Sequence, residues 1–366
     1  MKILVIWRLL TVGGVNAGWR NRAIYFKQHG IQTEFLYTAD RGGLDIMQDI
    51  APVYLTKNQT EILSIINNNQ YDCIIIVDTG GAYQWINNSS YRGPVILEAR
   101  TPELLKLSPH VSDLQGLRPS VMVVPSQYQQ RVLSILSDIE PVQVIYNGVD
   151  TSRFTLLSPE NVQMTIDPPV PENKKIVGWI GRLDKRKNWA MLLRIARLVK
   201  RERDDIEFWV IGGAQSKQRA EFEAKRKAKK VTDIVKWFPV IPYHHMPEVY
   251  AKIRLSGGCT IATTRGESFG NTFIESMACG VPVVAPKISS IPEIVVHGKT
   301  GRLYREDHVR GAVRQIYRIV DNPEAHQSMS RAAAEHVQEN FEISKCAHQY
   351  VQLLKSLVDK RKSDVV

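Results

Sequence analysis

Cysteine is scarce and scattered in this 366-residue chain: Cys73, Cys259, Cys279 and Cys346 include no C-x-x-C pair. That excludes a disulfide framework and a structural zinc site, and it points to the reducing cytosol. Long hydrophobic runs are missing too. No apolar stretch approaches the ~20 residues needed to cross a bilayer. The opening run from Met1 stops at Arg8 and has no small-x-small cleavage site after it. A cytoplasmic protein is expected, at most peripheral at the inner face of the membrane. The chain also lacks a repeat of 20–50 residues and any low-complexity segment, which excludes a solenoid, and its composition excludes a largely disordered chain.

A net positive charge is absent from the first half. Residues 1–150 hold 12 basic and 13 acidic side chains, so the whole net charge of +11 arises beyond them. A positive half attracts phosphates and other polyanions. Nucleic acid is not the expected partner, because the run Lys225–Lys230 has no interleaved aromatic residues on which bases could stack. It reads instead as the solvated C-terminal turn of a helix.

What remains is ordinary globular composition, 43% hydrophobic and 23% charged, in a length that suggests two domains. Short β-branched runs alternate with longer helical patterns. The expected strands are Lys2–Ile6, Gln32–Leu36, Cys73–Val77, Val95–Ala99, Val121–Val124 and Val142–Ile145, then Ile176–Ile180, Glu207–Ile211, Ile234–Trp237, Cys259–Ala262 and Val281–Val284. Continuous apolar strands separated by helices such as Trp189–Lys200 and Asn271–Cys279 predict parallel sheets covered on both faces. The expected fold is α/β, with two doubly wound Rossmann-like domains facing across a cleft. The proline-rich stretch Pro159–Pro171 reads as the linker. The expected domains are 1–160, 172–342 and a C-terminal helix over 343–366.

In such sheets, ligands bind where strands lead into helix N-termini. The most informative segment is Thr264–Glu275, which follows the strand Cys259–Ala262. Backbone N–H groups at Gly270, Asn271 and Thr272 would face a ligand with the positive end of the helix dipole behind them. Glu267 in the loop and Glu275 one turn into the helix could accept hydrogen bonds from hydroxyls, which suits a sugar nucleotide. A second segment, Gly181-Arg182-Leu183-Asp184-Lys185-Arg186-Lys187-Asn188, leads into the helix from Trp189, with Asn188 as its N-cap. Arg182 offers a planar fork and Lys187 a point charge, together enough to neutralise a diphosphate. Gly13-Gly14-Val15 allows a close backbone approach. His297–Gly301 reads as a hairpin turn, and His244-His245 as surface rather than metal ligands.

Gly266–Gly270 also satisfies G-x-S-x-G, with Asp307 and His308 downstream, the order of a serine hydrolase. No His-Gly-Gly oxyanion segment precedes it, and a hydrolase leaves Glu275 and the second domain unexplained.

Taken together, Asn147-Gly148-Val149-Asp150, Gly181-Arg182-Leu183…Lys187, Glu267-x7-Glu275 and Gly280-Val281-Pro282-Val283-Val284 resemble the retaining glycosyltransferases of family 4, with the GT-B fold. The match runs through the second half; in the first half it rests on the Gly13–Val15 loop and the strand rhythm. The resemblance implies a hexosyltransferase whose catalytic groups are Glu267, Arg182 and Lys187. Gly14, Val240, Ile241, Ser268, Phe269, Gly270, Asn271, Thr272 and Glu275 would complete the nucleotide-sugar site. Glu275 would take the ribose, and the backbone near Val240 and Ile241 the base. No metal and no cofactor is implied, only a nucleotide diphosphosugar, expected to be a UDP-hexose such as UDP-glucose, as co-substrate. The acceptor would be a saccharide or lipid-linked saccharide, in polysaccharide or cell-envelope glycan synthesis. Where the family often carries a histidine this chain has Arg100, a candidate acceptor or sugar contact, and Pro239 stands where glycine is usual. Two other readings share these features: a non-catalytic sugar-nucleotide binding protein and a sugar-nucleotide epimerase.

Overall fold

The computed structural model describes residues 1–363 except 12, 45–46, 140 and 163–167. In chain order the strands are β1 (Lys2–Thr11), β2 (Gln32–Arg41), β3 (Val53–Leu55), β4 (Cys73–Val77), β5 (Val95–Glu98), β6 (Val121–Val124), β7 (Val142–Val144), β8 (Lys175–Ile180), β9 (Ile206–Ile211), β10 (Val235–Phe238), β11 (Cys259–Ile261), β12 (Val283–Pro286) and β13 (Gly301–Tyr304). The helices are α1 (Gly14–Gln28), α2 (Gln59–Asn68), α3 (Ala82–Asn87), α4 (Leu104–Val111), α5 (Gln127–Leu136), α6 (Trp189–Glu202), α7 (Arg219–Ala228), α8 (Met246–Leu255), α9 (Asn271–Ala278), α10 (Ile291–Ile294), α11 (Val309–Val320), α12 (Pro323–Asn340) and α13 (Ile343–Ser363). The chain divides into two compact units, Met1–Gly148 with Phe341–Val366, and Val149–Asn340. The division falls at Gly148, ahead of the proline-rich stretch; of that stretch, 163–167 lie outside the described residues, as do 364–366 of the tail.

The first unit is built on a parallel sheet in the order β3-β2-β1-β4-β5-β6-β7. Alternation sorts its side chains into two cores. Ile3, Val5, Phe35 and Ile75 pack on one face with Trp19 and Phe26 of α1 and with Ala347 and Tyr350 of α13. Leu4, Ile6, Ile74 and Ile76 pack on the other with Ile62 and Ile66 of α2. The last helix therefore belongs to the first unit, where Tyr350 meets Trp19 edge to face. β1 and β2 run well past their expected ends. Arg8, which breaks the apolar run, has its side chain in solvent while its neighbours continue the ladder through Leu10↔Asp40.

The second unit carries a parallel sheet ordered β10-β9-β8-β11-β12-β13. α6 buries Leu192, Ile195, Ala196 and Val199 against Val177, Phe208 and Val210 of this sheet. β3 and β13 are not among the expected strands. β13 also overturns the expected hairpin: His297–Thr300 turns the chain into a strand that pairs with β12 in parallel, so the turn leads into a new sheet edge. No helix of the described residues is long and apolar enough to cross a membrane.

Candidate functional site

In the second sheet β8 and β11 are neighbours, yet the chain leaves β8 toward β9 on one side and β11 toward β12 on the other. The loops at their C-terminal ends therefore part, which is where doubly wound sheets leave room for a ligand. These loops hold the residues singled out above. Threonine hydroxyls and backbone bonds fasten them together: Thr263 Oγ1 accepts from Trp179 Nε1 and donates to the Lys187 carbonyl, each at 2.9 Å, and Arg265 N donates to the Arg186 carbonyl at 2.8 Å.

Glu267 sits at the centre of this junction, buried, with a cation on each oxygen. Lys187 Nζ lies 2.5 Å from Oε1 and Arg186 Nη1 3.2 Å from Oε2. Burial opposes ionisation of this carboxyl, but Lys187 and Arg186 outweigh it and hold its pKa below the ordinary value. Arg182, expected beside Lys187, instead stands 59% exposed and pairs with Asp184 at 3.1 Å. Arg186, unmarked in the sequence, takes the inward place. Nothing in the basic string Lys185-Arg186-Lys187 distinguishes the member that turns inward.

Gly270 makes the turn into α9 at φ +114, a conformation that favours glycine, and a Cβ there would meet the Phe273 ring at 2.6 Å. The N-cap position of α9 is Gly270, which has no side chain to cap it, and no acidic residue lies in the first turn. Ser268, Asn271 and Thr272 are partly exposed there, whereas the Phe269 side chain is buried in the core. Asn188 does not cap α6 through its side chain. It adopts φ +53 and donates to Asp307 Oδ1 at 2.9 Å, while Arg265 holds the other Asp307 oxygen at 3.3 Å. That carboxylate, a partner in the hydrolase reading, is thus a brace between the two loops.

Glu275, buried in α9, accepts hydrogen bonds from Tyr243 and Tyr250, both at 3.2 Å. Burial raises its pKa to about 7, with the two phenols partly offsetting the rise. Neither tyrosine was foreseen. Tyr243 lies two residues beyond Ile241, so the loop expected to read the base is tied to the carboxylate expected to hold the ribose. The Arg153 guanidinium stacks 5.0 Å from the Tyr243 ring, and Val240 is 71% exposed.

The raised Glu275 sets a pH dependence. Its folded pKa exceeds the unfolded value near 4.5, so its stabilising contribution is complete below that value and is lost as pH rises through about 7. A rise of this size corresponds to roughly 3 kcal/mol. Glu275→Gln does not titrate. Its unfolding free energy relative to the natural protein is therefore expected to increase between pH 5 and pH 8. Urea unfolding at both pH values checks this, and an equal difference at the two would contradict the assignment.

In the first unit Gly14 opens α1, exposed, after an extended Gly13 and with no acidic residue in the first turn. Arg100 is buried, not presented to solvent. Its Nε and Nη2 donate to the two oxygens of Glu98 at 2.9 and 2.7 Å, and its Nη1 to Asn147 Oδ1 at 2.7 Å. Arg22 donates to the same Asn147 oxygen at 2.8 Å and approaches Glu98 at 3.4 Å; Trp19 Nε1 adds a bond to Glu98 at 3.1 Å. Burial works against the Glu98 charge, but Arg100 and Arg22 keep the carboxyl below its ordinary pKa. The Arg100 backbone N–H donates to the buried Asp78, whose pKa burial raises to about 6.

Two units with parallel, doubly wound sheets define the class: this is the GT-B fold. Residues 164–336, all within the second unit, match the family described as Glycosyl transferases group 1. The chain is 26% identical over 227 residues to the D-inositol 3-phosphate glycosyltransferase of Arthrobacter sp. (strain FB24), spanning 62% of this chain and 52% of that protein. About half the length of that relative is therefore matched. Among solved structures, Anabaena HepE in complex with UDP and glucose is similar at TM-score 0.84 and 20% identity, covering 98% of this chain and 100% of that one. Sucrose-phosphate synthase from Thermosynechococcus elongatus follows at TM-score 0.81 and 16% identity, over 98% and 99%. At these identities the likeness is one of fold.

Proposed function

We propose that this protein is a retaining, metal-independent glycosyltransferase that moves a hexose from a UDP-hexose to a hydroxyl of a saccharide or glycolipid. The observation that carries the reading is the Glu267 carboxylate held by Lys187 and Arg186 where β8 and β11 part, beside the glycine-opened start of α9. An anionic diphosphate is favoured there by Lys187, by the helix N-terminus and by the positive second half of the chain. Glu275, already accepting two phenolic hydrogen bonds, has the chemistry to accept from a ribose instead. The neighbours support the same substrate class, since HepE was solved with UDP and glucose and the Arthrobacter relative carries a glycosyltransferase name.

In the reaction the bond between the anomeric carbon and the diphosphate oxygen breaks while the acceptor oxygen bonds to that carbon on the same face. The acceptor proton passes to the departing phosphate oxygen. Lys187, with Arg182 within the same loop, stabilises the charge that grows on the diphosphate. Glu267 accepts a hydrogen bond from a hydroxyl of the donor sugar and holds the ring for attack. The product belongs to polysaccharide or cell-envelope glycan synthesis, made in the cytoplasm or at the membrane's inner face.

A panel of nucleotide sugars in thermal melting, followed by UDP release with and without saccharide acceptors, tests the assignment. A UDP-hexose is expected to raise Tm by mass action, and acceptor to accelerate UDP release. Binding without release would make the protein a carrier of sugar nucleotides. Conversion of the donor sugar with no acceptor present would make it an epimerase.

A further inference from the structure

We infer that Arg186 is a positioning residue that keeps Glu267 in place and charged while Lys187 is drawn away by the donor diphosphate; the inference deepens the glycosyltransferase reading and rests on it. The two Glu267 oxygens are divided between two cations, Oε1 to Lys187 and Oε2 to Arg186. The cations are held differently. Lys187 offers an ammonium on a flexible stem, free to re-aim at a phosphate. Arg186 is clasped to the Glu267 loop at several points: its Nη1 also donates to the Gly266 carbonyl at 2.7 Å, and its own carbonyl accepts from Arg265 N at 2.8 Å.

A diphosphate arriving beside this loop competes for the Lys187 ammonium alone. As Lys187 turns toward it, Oε1 becomes available to a sugar hydroxyl, while Oε2 stays with Arg186. A buried carboxylate deprived of both cations would take up a proton rather than remain charged. Arg186 therefore lets the carboxylate lend Lys187 to the phosphate and still act as an acceptor.

Among the described residues, the groups facing Glu267 come from three segments. Arg186 and Lys187 reach it from the β8–α6 loop, and the Thr264 hydroxyl from its own loop. From the start of α10 the Ser290 hydroxyl donates to its backbone carbonyl at 3.0 Å. Arg265, the adjacent cation, is directed to Asp307.

Carbon-13 labelling of glutamate carboxyls follows Glu267 directly, with Glu267→Gln assigning its signal, in the full protein saturated with UDP. Arg186→Gln is expected to raise the Glu267 midpoint by about one pH unit or more. The acid limb of kcat should move upward by the same amount, with the donor KM changed less than about threefold. Arg186→Lys, which keeps the charge, should restore most of both shifts and serves as the test if the glutamine variant does not fold. An unmoved Glu267 midpoint in a folded variant overturns the inference. A moved midpoint in a protein that transfers no sugar leaves the positioning role standing and overturns the glycosyltransferase reading instead.

Discussion

Lys187→Ala is expected to lower kcat for sugar transfer by a hundred- to a thousand-fold while the protein keeps its fold. Removing one preorganised charge from a site where negative charge develops costs that much in comparable enzymes. Lys187 meets the condition through its backbone, which is fixed by the Asp184 carboxylate, accepting from Lys187 N at 2.7 Å, and by Thr263, so its ammonium is held within reach of both Glu267 and the diphosphate. The loop survives the loss because Arg186 still holds Glu267 and Asp307 still braces Asn188 to Arg265. Glu267→Ala should lose turnover to a similar extent, with some stability besides, since it leaves two cations beside an empty buried place. Glu275→Ala should act mainly on nucleotide affinity. Steady-state kinetics with the best UDP-hexose, alongside thermal melting, reads all three. A kcat for Lys187→Ala within threefold of the natural protein would remove Lys187 from the mechanism.

The largest loss of stability is expected at Glu98. Glu98→Gln preserves shape but strands the Arg22 and Arg100 guanidiniums, both buried, with Asn147 as their shared acceptor. Burial and the neighbouring Arg100 already depress the Arg22 pKa to about 10, and the Glu98 carboxylate between the two guanidiniums opposes that repulsion. Removing one partner of a buried ionic network costs about 3–5 kcal/mol. Urea unfolding followed by tryptophan fluorescence suits the measurement, because Trp19 donates to Glu98. A loss under about 1 kcal/mol would show that water or backbone shifts relieve the two cations. Arg100→Met combined with Glu98→Gln should recover part of the loss, as replacing buried ion pairs with apolar side chains often does.

The sequence by itself determined the architecture. Stretches such as Cys73–Val77 and Val121–Val124 are apolar on both sides, and they sit between amphipathic helices. A strand apolar on both sides needs cover on both faces, and helices linking strands supply it, so parallel doubly wound sheets follow from periodicity alone. Position within that architecture likewise marked the loop with Glu267, the helix with Glu275 and the basic loop before α6. Tertiary structure alone decided which side chains meet. Arg186 rather than Arg182 reaches Glu267 across 81 residues; Tyr243 and Tyr250 reach Glu275 across 32 and 25; Arg22 and Arg100 converge on Asn147 across 125 and 47. An ion pair or hydrogen bond between distant residues imposes no period on the chain and needs only a suitable atom at each end. Its partners therefore become visible only once the sheets have brought their loops together.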